Sequence, residues 1–175
     1  MKIKPLRRHW RVLLAITPAL AFAASATSGN GIATMDYFLG AWDCAGHFPS
    51  NGKAIASTVR FDREAAVGAI VQRHDDRTPF EYHAMELWVY QPTAATFSSA
   101  IADNFGGVRE FHSAGWQGDD LTWQSMAGVS PTQRFVYHRI DAGTFRLDWD
   151  VSKDGTRYVV GDTLTCKHRA PGQGS

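Results

Sequence analysis

Cysteine is scarce in this chain, with two among 175 residues, and that excludes a small domain held together by a dense disulfide framework. Long hydrophobic runs are missing too. The longest apolar stretch, residues 12–23, is shorter than the roughly 20 residues a helix needs to cross a bilayer. Charge of one sign is no more plentiful. The 18 Lys and Arg stand against 17 Asp and Glu, and five of the cations (Lys2, Lys4, Arg7, Arg8 and Arg11) fall in a first segment without any acid. From residue 27 onward the net charge is therefore −4 with no basic cluster. That argues against nucleic acid and anionic membrane surfaces as partners, because phosphate binding rests on clustered cations that release counterions. With 44% hydrophobic and 20% charged residues, the chain has the proportions of one folded domain and not of a disordered one.

Several catalytic signatures are also absent. Ser113 sits in His-Ser-Ala-Gly and not in a Gly-x-Ser-x-Gly elbow. No Gly-rich loop leads from a strand into a helix to cradle phosphate, and no two histidines have His-Glu-x-x-His spacing, so no metal site is expected.

What is present begins with an export signal. The basic residues ahead of the apolar stretch, and Ala24 and Ala26 flanking Ser25 in A-x-A spacing, predict a signal peptide over residues 1–26. Cleavage is expected after Ala26, with Ala23 the alternative site; an uncleaved anchoring helix is the other reading. Export places the mature chain in the periplasm or the medium, where Cys44 and Cys166 can oxidise. One disulfide between them is expected, two buried free thiols being the alternative. Residues 27–35 read as a flexible leader, 36–169 as the folded domain and 170–175 as a loose tail, with no membrane span after processing.

Within the domain no segment keeps apolar residues at helical spacing, whereas alternation with period two recurs. In residues 143–151, Phe145, Leu147, Trp149 and Val151 share one face and Arg146, Asp148 and Asp150 the other. Residues 53–62 and 119–126 alternate in the same way. Nine clusters of turn-forming residues, among them Pro49-Ser50-Asn51-Gly52 and Asp103-Asn104-Phe105-Gly106-Gly107, separate ten such strands. Ten short strands joined by short turns predict an all-β, antiparallel up-and-down meander that closes into a barrel to remove its edges. Ten strands leave room for a small-molecule cavity, and the first connection, residues 48–53, is too short to carry a helical lid.

Residues 80–90 are apolar on both faces, with Phe80, Tyr82, Glu86, Trp88 and Tyr90 on one and His83, Met85, Leu87 and Val89 on the other. If the aromatic set is luminal, Glu86 is a buried acid that needs a partner, for which Arg109 or Arg134 is available. Six histidines follow the signal, and His74 and His83 are placed to face one another across a hairpin. The intervening Asp75 and Asp76 read as turn residues. Arg109 with His112, and Arg134 with Tyr137 and His138, add polar groups on two further strands. The expected ligand-binding set is Glu86, Trp88, Arg109, His112, Arg134 and Tyr137.

The stretch Leu39-Gly40-Ala41-Trp42-Asp43-Cys44-Ala45-Gly46 carries Gly-x-Trp on the first strand and resembles the opening of lipocalin-like (calycin) barrels. The resemblance implies that Gly40 turns the chain into the barrel and that Trp42 plugs its closed end, covered by Arg169 or Lys167 from near the last strand. More closely, residues 36–169 look like secreted bacterial lipocalin-like domains of unknown function, in His74-Asp75-Asp76, in the Asp103 to Gly107 stretch and in Gly115-Trp116-Gln117-Gly118-Asp119. The chain is also distantly similar to nitrobindin-like haem proteins, whose Gly-x-Trp-x-Gly-x-Gly it matches at Gly40, Trp42 and Gly46 but not at Cys44. That similarity implies haem with His168 as the nearest match to the ligand; apart from it, no cofactor is expected.

These readings lead to an exported barrel that binds or carries a small, largely apolar or amphipathic molecule in its lumen. Two other classes compete with it. One is a cofactor-independent isomerase, cyclase or hydratase that uses luminal His and Asp or Glu as acid and base. The other is a structural or envelope-interaction protein with a packed core.

Overall fold

The computed structural model describes residues 31–77 and 80–170, so the expected signal peptide, the start of the leader and the end of the tail lie outside it. A 3₁₀ helix, Gly31–Phe38, precedes eleven strands. They are β1 Gly40–His47, β2 Ala54–Glu64, β3 Ala69–Asp76, β4 His83–Gln91, β5 Thr96–Asp103, β6 Val108–Ser113, β7 Trp116–Gln117, β8 Asp120–Ser125, β9 Thr132–Asp141, β10 Thr144–Ser152 and β11 Val159–His168. The period-two pattern becomes strand because each pleat sends successive side chains to opposite faces, and one parity carries the apolar ones. Val59 and Phe61 on β2, Leu121 and Trp123 on β8, and Phe145 and Leu147 on β10 are all buried on that parity.

Every strand pairs antiparallel with its neighbours in the order β6-β5-β4-β3-β2-β1-β11-β10-β9-β8. Pairing of β6 with β8, with Phe111 opposite Ser125, closes the ring. Ten strands thus form a closed antiparallel barrel, and β7 is a two-residue spur on β8. Among the described residues no helical lid is inserted between the strands. The first connection turns straight back, with the Phe48 N–H donating to the Lys53 carbonyl at 3.0 Å. No helix among the described residues is long and apolar enough to cross a membrane.

Closure brings the first strand beside the last. Cys44 and Cys166 are direct partners across β1 and β11, and they form a disulfide with Cα atoms 4.0 Å apart and a sequence separation of 122. In the chain-entropy treatment a loop of that length contributes about 4–5 kcal/mol.

Two expectations need correction. The leader read as flexible is, from Gly31 onward, a 3₁₀ helix that seals one end of the barrel. Its Met35 and Phe38 are fully buried, because the apolar ends of β1, β4, β9 and β10 offer rings for Phe38 to pack on. The cover over Trp42 is not Arg169. Trp42 donates its indole N–H to the Phe38 carbonyl at 2.7 Å and meets the His168 ring edge-on at 4.8 Å. Arg169 instead grips Asp43 with two nitrogens, at 3.0 and 2.7 Å, because its place after β11 sets it opposite that carboxylate. At the sealed end Arg139 lies over the Tyr37 and Trp116 rings at 4.6 and 4.1 Å, and Arg63 pairs with Asp36 of the helix. Gly40 fits its expected role: its φ is +111°, and a Cβ there would stand 2.6 Å from the His168 imidazole.

Candidate functional site

Above the sealed end the inward side chains no longer meet across the barrel. A cavity of about 530 Å³ remains, rimmed by Phe48, Phe80, Tyr82 and Phe105 where the β1–β2, β3–β4 and β5–β6 connections gather. Its walls are apolar over most of their extent, with Ile55, Ile101, Phe135, Leu147, Trp149 and Leu164, and polar at a few places. Of residues 80–90, the even-numbered set faces inward.

Glu86 is a buried acid, 5% exposed, on the inner face of β4. The Ser99 hydroxyl, inward on the adjoining β5, donates to one of its oxygens. Burial pushes the Glu86 carboxyl up to about 7; the Ser99 hydrogen bond and the charge of Arg109 pull the other way without prevailing. Beside it, the Tyr137 hydroxyl donates to Gln72 at 3.2 Å, and burial holds that phenol well above its usual range.

Arg109 reaches the cavity from β6 but is already engaged. It pairs with Asp103 at 2.6 Å and donates to the Tyr82 hydroxyl at 3.1 Å and to Gln133 at 2.8 Å. Burial raises the Tyr82 phenol to about 12. On β3, His74 lies 3.0 Å from Asp76, which also accepts from the Ser57 hydroxyl at 2.6 Å. Burial would raise the Asp76 carboxyl, but these two hydrogen bonds outweigh it and hold the carboxyl below its usual value. Asp162 faces the cavity from β11 with no hydrogen-bond donor among the described residues. Burial, against the charge of His74 and reinforced by Asp76 and Asp148, pushes its carboxyl up to about 7.

Of the six residues expected to bind ligand, Glu86, Arg109 and Tyr137 line this cavity. Trp88 shares the face of Glu86 but lies deeper, against Phe38, Phe61 and Trp123, and belongs to the packed end. His112 and Arg134 point away from the lumen. The reason is parity: residues three apart on one strand lie on opposite faces, so Arg109 excludes His112 and Tyr137 excludes Arg134. His112 is exposed between inward Phe111 and Ser113, and Arg134 pairs on the outside with Asp150 at 2.6 Å, over the Tyr158 ring. Neither arginine hydrogen-bonds Glu86; Ser99 does.

The His74 and His83 expectation is also corrected. Asp75 and Asp76 belong to β3 and not to a turn, so the two imidazoles take opposite faces, His74 inward with Asp76 and His83 outward with Asp75 at 2.8 Å. His138 is likewise outside, between Asp120 and Asp148. Gln72, His74, Asp76, Ser99 and Asp162 were missed as site residues. Parity counted from Ile70 along β3, and back from Cys166 along β11, places all but Ser99 on the luminal side.

The haem implied by the nitrobindin-like resemblance does not fit these residues. His168 lies at the sealed end, against Trp42 and 3.2 Å from the Leu39 carbonyl, and is not part of the cavity wall. Among the described residues no group of three His, Cys, Asp or Glu side chains is arranged to hold a metal ion.

No protein-family model matches the chain, and no curated protein matches it either.

Proposed function

We propose that this protein is an exported, lipocalin-like barrel that binds or carries a small, largely apolar molecule in its lumen. The observation that carries the reading is the cavity of about 530 Å³, open at one end and walled mainly by Phe, Ile, Leu and Trp. Its size falls within the roughly 300–1,000 Å³ of small-molecule sites, and a few convergent polar groups in apolar walls are what orient a ligand. The disulfide supports export, since such bonds persist in oxidising compartments. A core packed throughout, as a purely structural or envelope-interaction protein would have, describes the sealed half only.

Native mass spectrometry of protein exported through its own signal, repeated after denaturation, tests the reading. A mass excess lost on denaturation is the expected result. A bare chain that also fails to take up Nile red, a neutral apolar probe, would overturn it.

Glu86 favours a second reading, a cofactor-independent isomerase, cyclase or hydratase. A carboxyl titrating near neutrality inside a cavity is suited to move a proton in either direction, and the adjacent Tyr137 and Gln72 could hold a carbonyl oxygen. His83, His112 and His138 all face outward, so this chemistry would rest on Glu86, with His74 and Asp162 as the other luminal titrating groups. Recovery of the released ligand in chemically altered form would favour the enzyme over the carrier.

A further inference from the structure

The ionic groups of the lumen do not balance. Arg109 is matched by Asp103 at 2.6 Å, and Asp103 is itself buried, its side chain 7% exposed. His74 is matched by Asp76 at 3.0 Å. Once these pairs are set aside, the carboxyls of the cavity lining that remain without a cation are Glu86 on β4, Asp162 on β11 and Glu81, which is exposed at the rim. Glu86 is nineteen-twentieths buried and lines the cavity. Its hydrogen-bonding neighbours are the neutral Ser99 hydroxyl and the Trp88 indole, and among the described residues no cation pairs with it.

We infer that the cavity is built for an amphipathic ligand with a protonated amine, whose ammonium group pairs with Glu86 or with Asp162 on the opposite wall while its apolar body fills the aromatic and aliphatic walls. The inference rests on the carrier reading and names the ligand class of the same site. An acid-headed ligand, such as a free fatty acid, is disfavoured on the same grounds. It would bring a third unpaired anion into the lumen, or it would have to draw Arg109 away from Asp103 and leave that carboxylate buried without its partner. An ammonium supplies the charge and the donors that both carboxyls lack, and so offsets the cost of holding them ionised away from water. Burial is the largest cause of the upward displacement of both carboxyls, and the more distant charges of Arg109 and His74 at Glu86, and of His74 at Asp162, do not offset it.

The test uses two fluorescent probes of equal length, dansylcadaverine, which ends in a primary amine, and dansyl-ε-aminocaproate, which ends in a carboxylate. Nile red serves as the neutral reference. At about pH 8 both headgroups are charged, and the amine is expected to bind at least about tenfold more tightly than the acid. Glu86→Gln keeps the shape and the Ser99 hydrogen bond, and Asp162→Asn changes a residue on the opposite wall. Each is expected to reduce severalfold the affinity for the amine taken relative to that for Nile red in the same variant. Equal or tighter binding of the carboxylate probe overturns the inference. So does an amine preference that survives both substitutions. Nile red binding without any amine preference leaves the carrier standing and removes this ligand class, whereas failure of all three probes to bind removes both.

Discussion

The two halves of the barrel are built from the same strands and filled differently. At the sealed end, Phe38 from the 3₁₀ helix enters the lumen, and Trp88, Trp116, Tyr137 and Phe145 surround it with ring centroids 5.2–5.5 Å away. At the open end the inward positions hold Gln72, His74, Asp76, Glu86, Ser99 and Asp162, and the space between them is empty. The difference shows how one up-and-down barrel is both stable and hollow. A plug contributed from outside the sheet fills one half at the density of a protein interior, and that frees the other half from having to pack.

The contrast is tested by one truncation to alanine in each half. Phe38→Ala removes the centre of the plug, where nothing can collapse to replace it, and is expected to cost about 3–5 kcal/mol. Leu147→Ala, on the cavity wall, only enlarges space that already exists and is expected to cost about 2 kcal/mol. Urea unfolding of the two variants measures both. Equal losses would mean that the two halves do not differ in packing.

The next effect lies at the open end and depends on pH. In the fold the Glu86 carboxyl is raised from 4.5 to about 7, so the native state holds its proton more tightly than the unfolded chain does. The stability this contributes is complete below the unfolded value and is lost as pH rises through about 7, by up to about 3 kcal/mol. Glu86→Gln is therefore expected to be more stable than the natural chain at about pH 8 and to lose that advantage near pH 5, in denaturation curves taken across the range. Asp162 leaves a residual slope of the same sign. A Glu86→Gln variant whose stability follows the pH profile of the natural chain would show that the buried carboxyl is not the source.

The smallest effect is expected at the rim. Phe105 is 79% exposed on the β5–β6 connection and stacks on Tyr82 at 5.9 Å. Phe105→Ala is expected to change stability by less than about 0.5 kcal/mol. A larger loss in the same unfolding assay would make the mouth part of the packed structure and not a loose margin to the cavity.

Much of this contrast can be read along the chain, and the errors are informative. The alternation in residues 143–151 put Phe145, Leu147 and Trp149 on one shared face, which the fold turns inward, and the turn clusters separated ten strands that do close. Within the candidate site, Glu86, Arg109 and Tyr137 were legible for the same reason. His112 and Arg134 went wrong because they were chosen for their chemistry against the parity of their own strands. Asp76 was hidden because Asp-Asp-Arg-Thr-Pro has the composition of a turn, although β3 runs on through both aspartates before the chain reverses. Ser99 gave no signal of its own, since a serine on a strand becomes the partner of a buried glutamate only when β5 settles beside β4.

The sequence by itself determined the strands, the parity of each, the turns between them and the pairing of Cys44 with Cys166. These follow from backbone geometry and period two, which act over neighbouring residues. Tertiary structure alone decided that the leader becomes a plug, that His168 and not Arg169 covers Trp42, and that Arg109 is spent on Asp103 while Glu86 and Asp162 are left without a cation. Those outcomes depend on which side chains meet across the lumen, and that is set by ring closure and register between strands far apart in the chain.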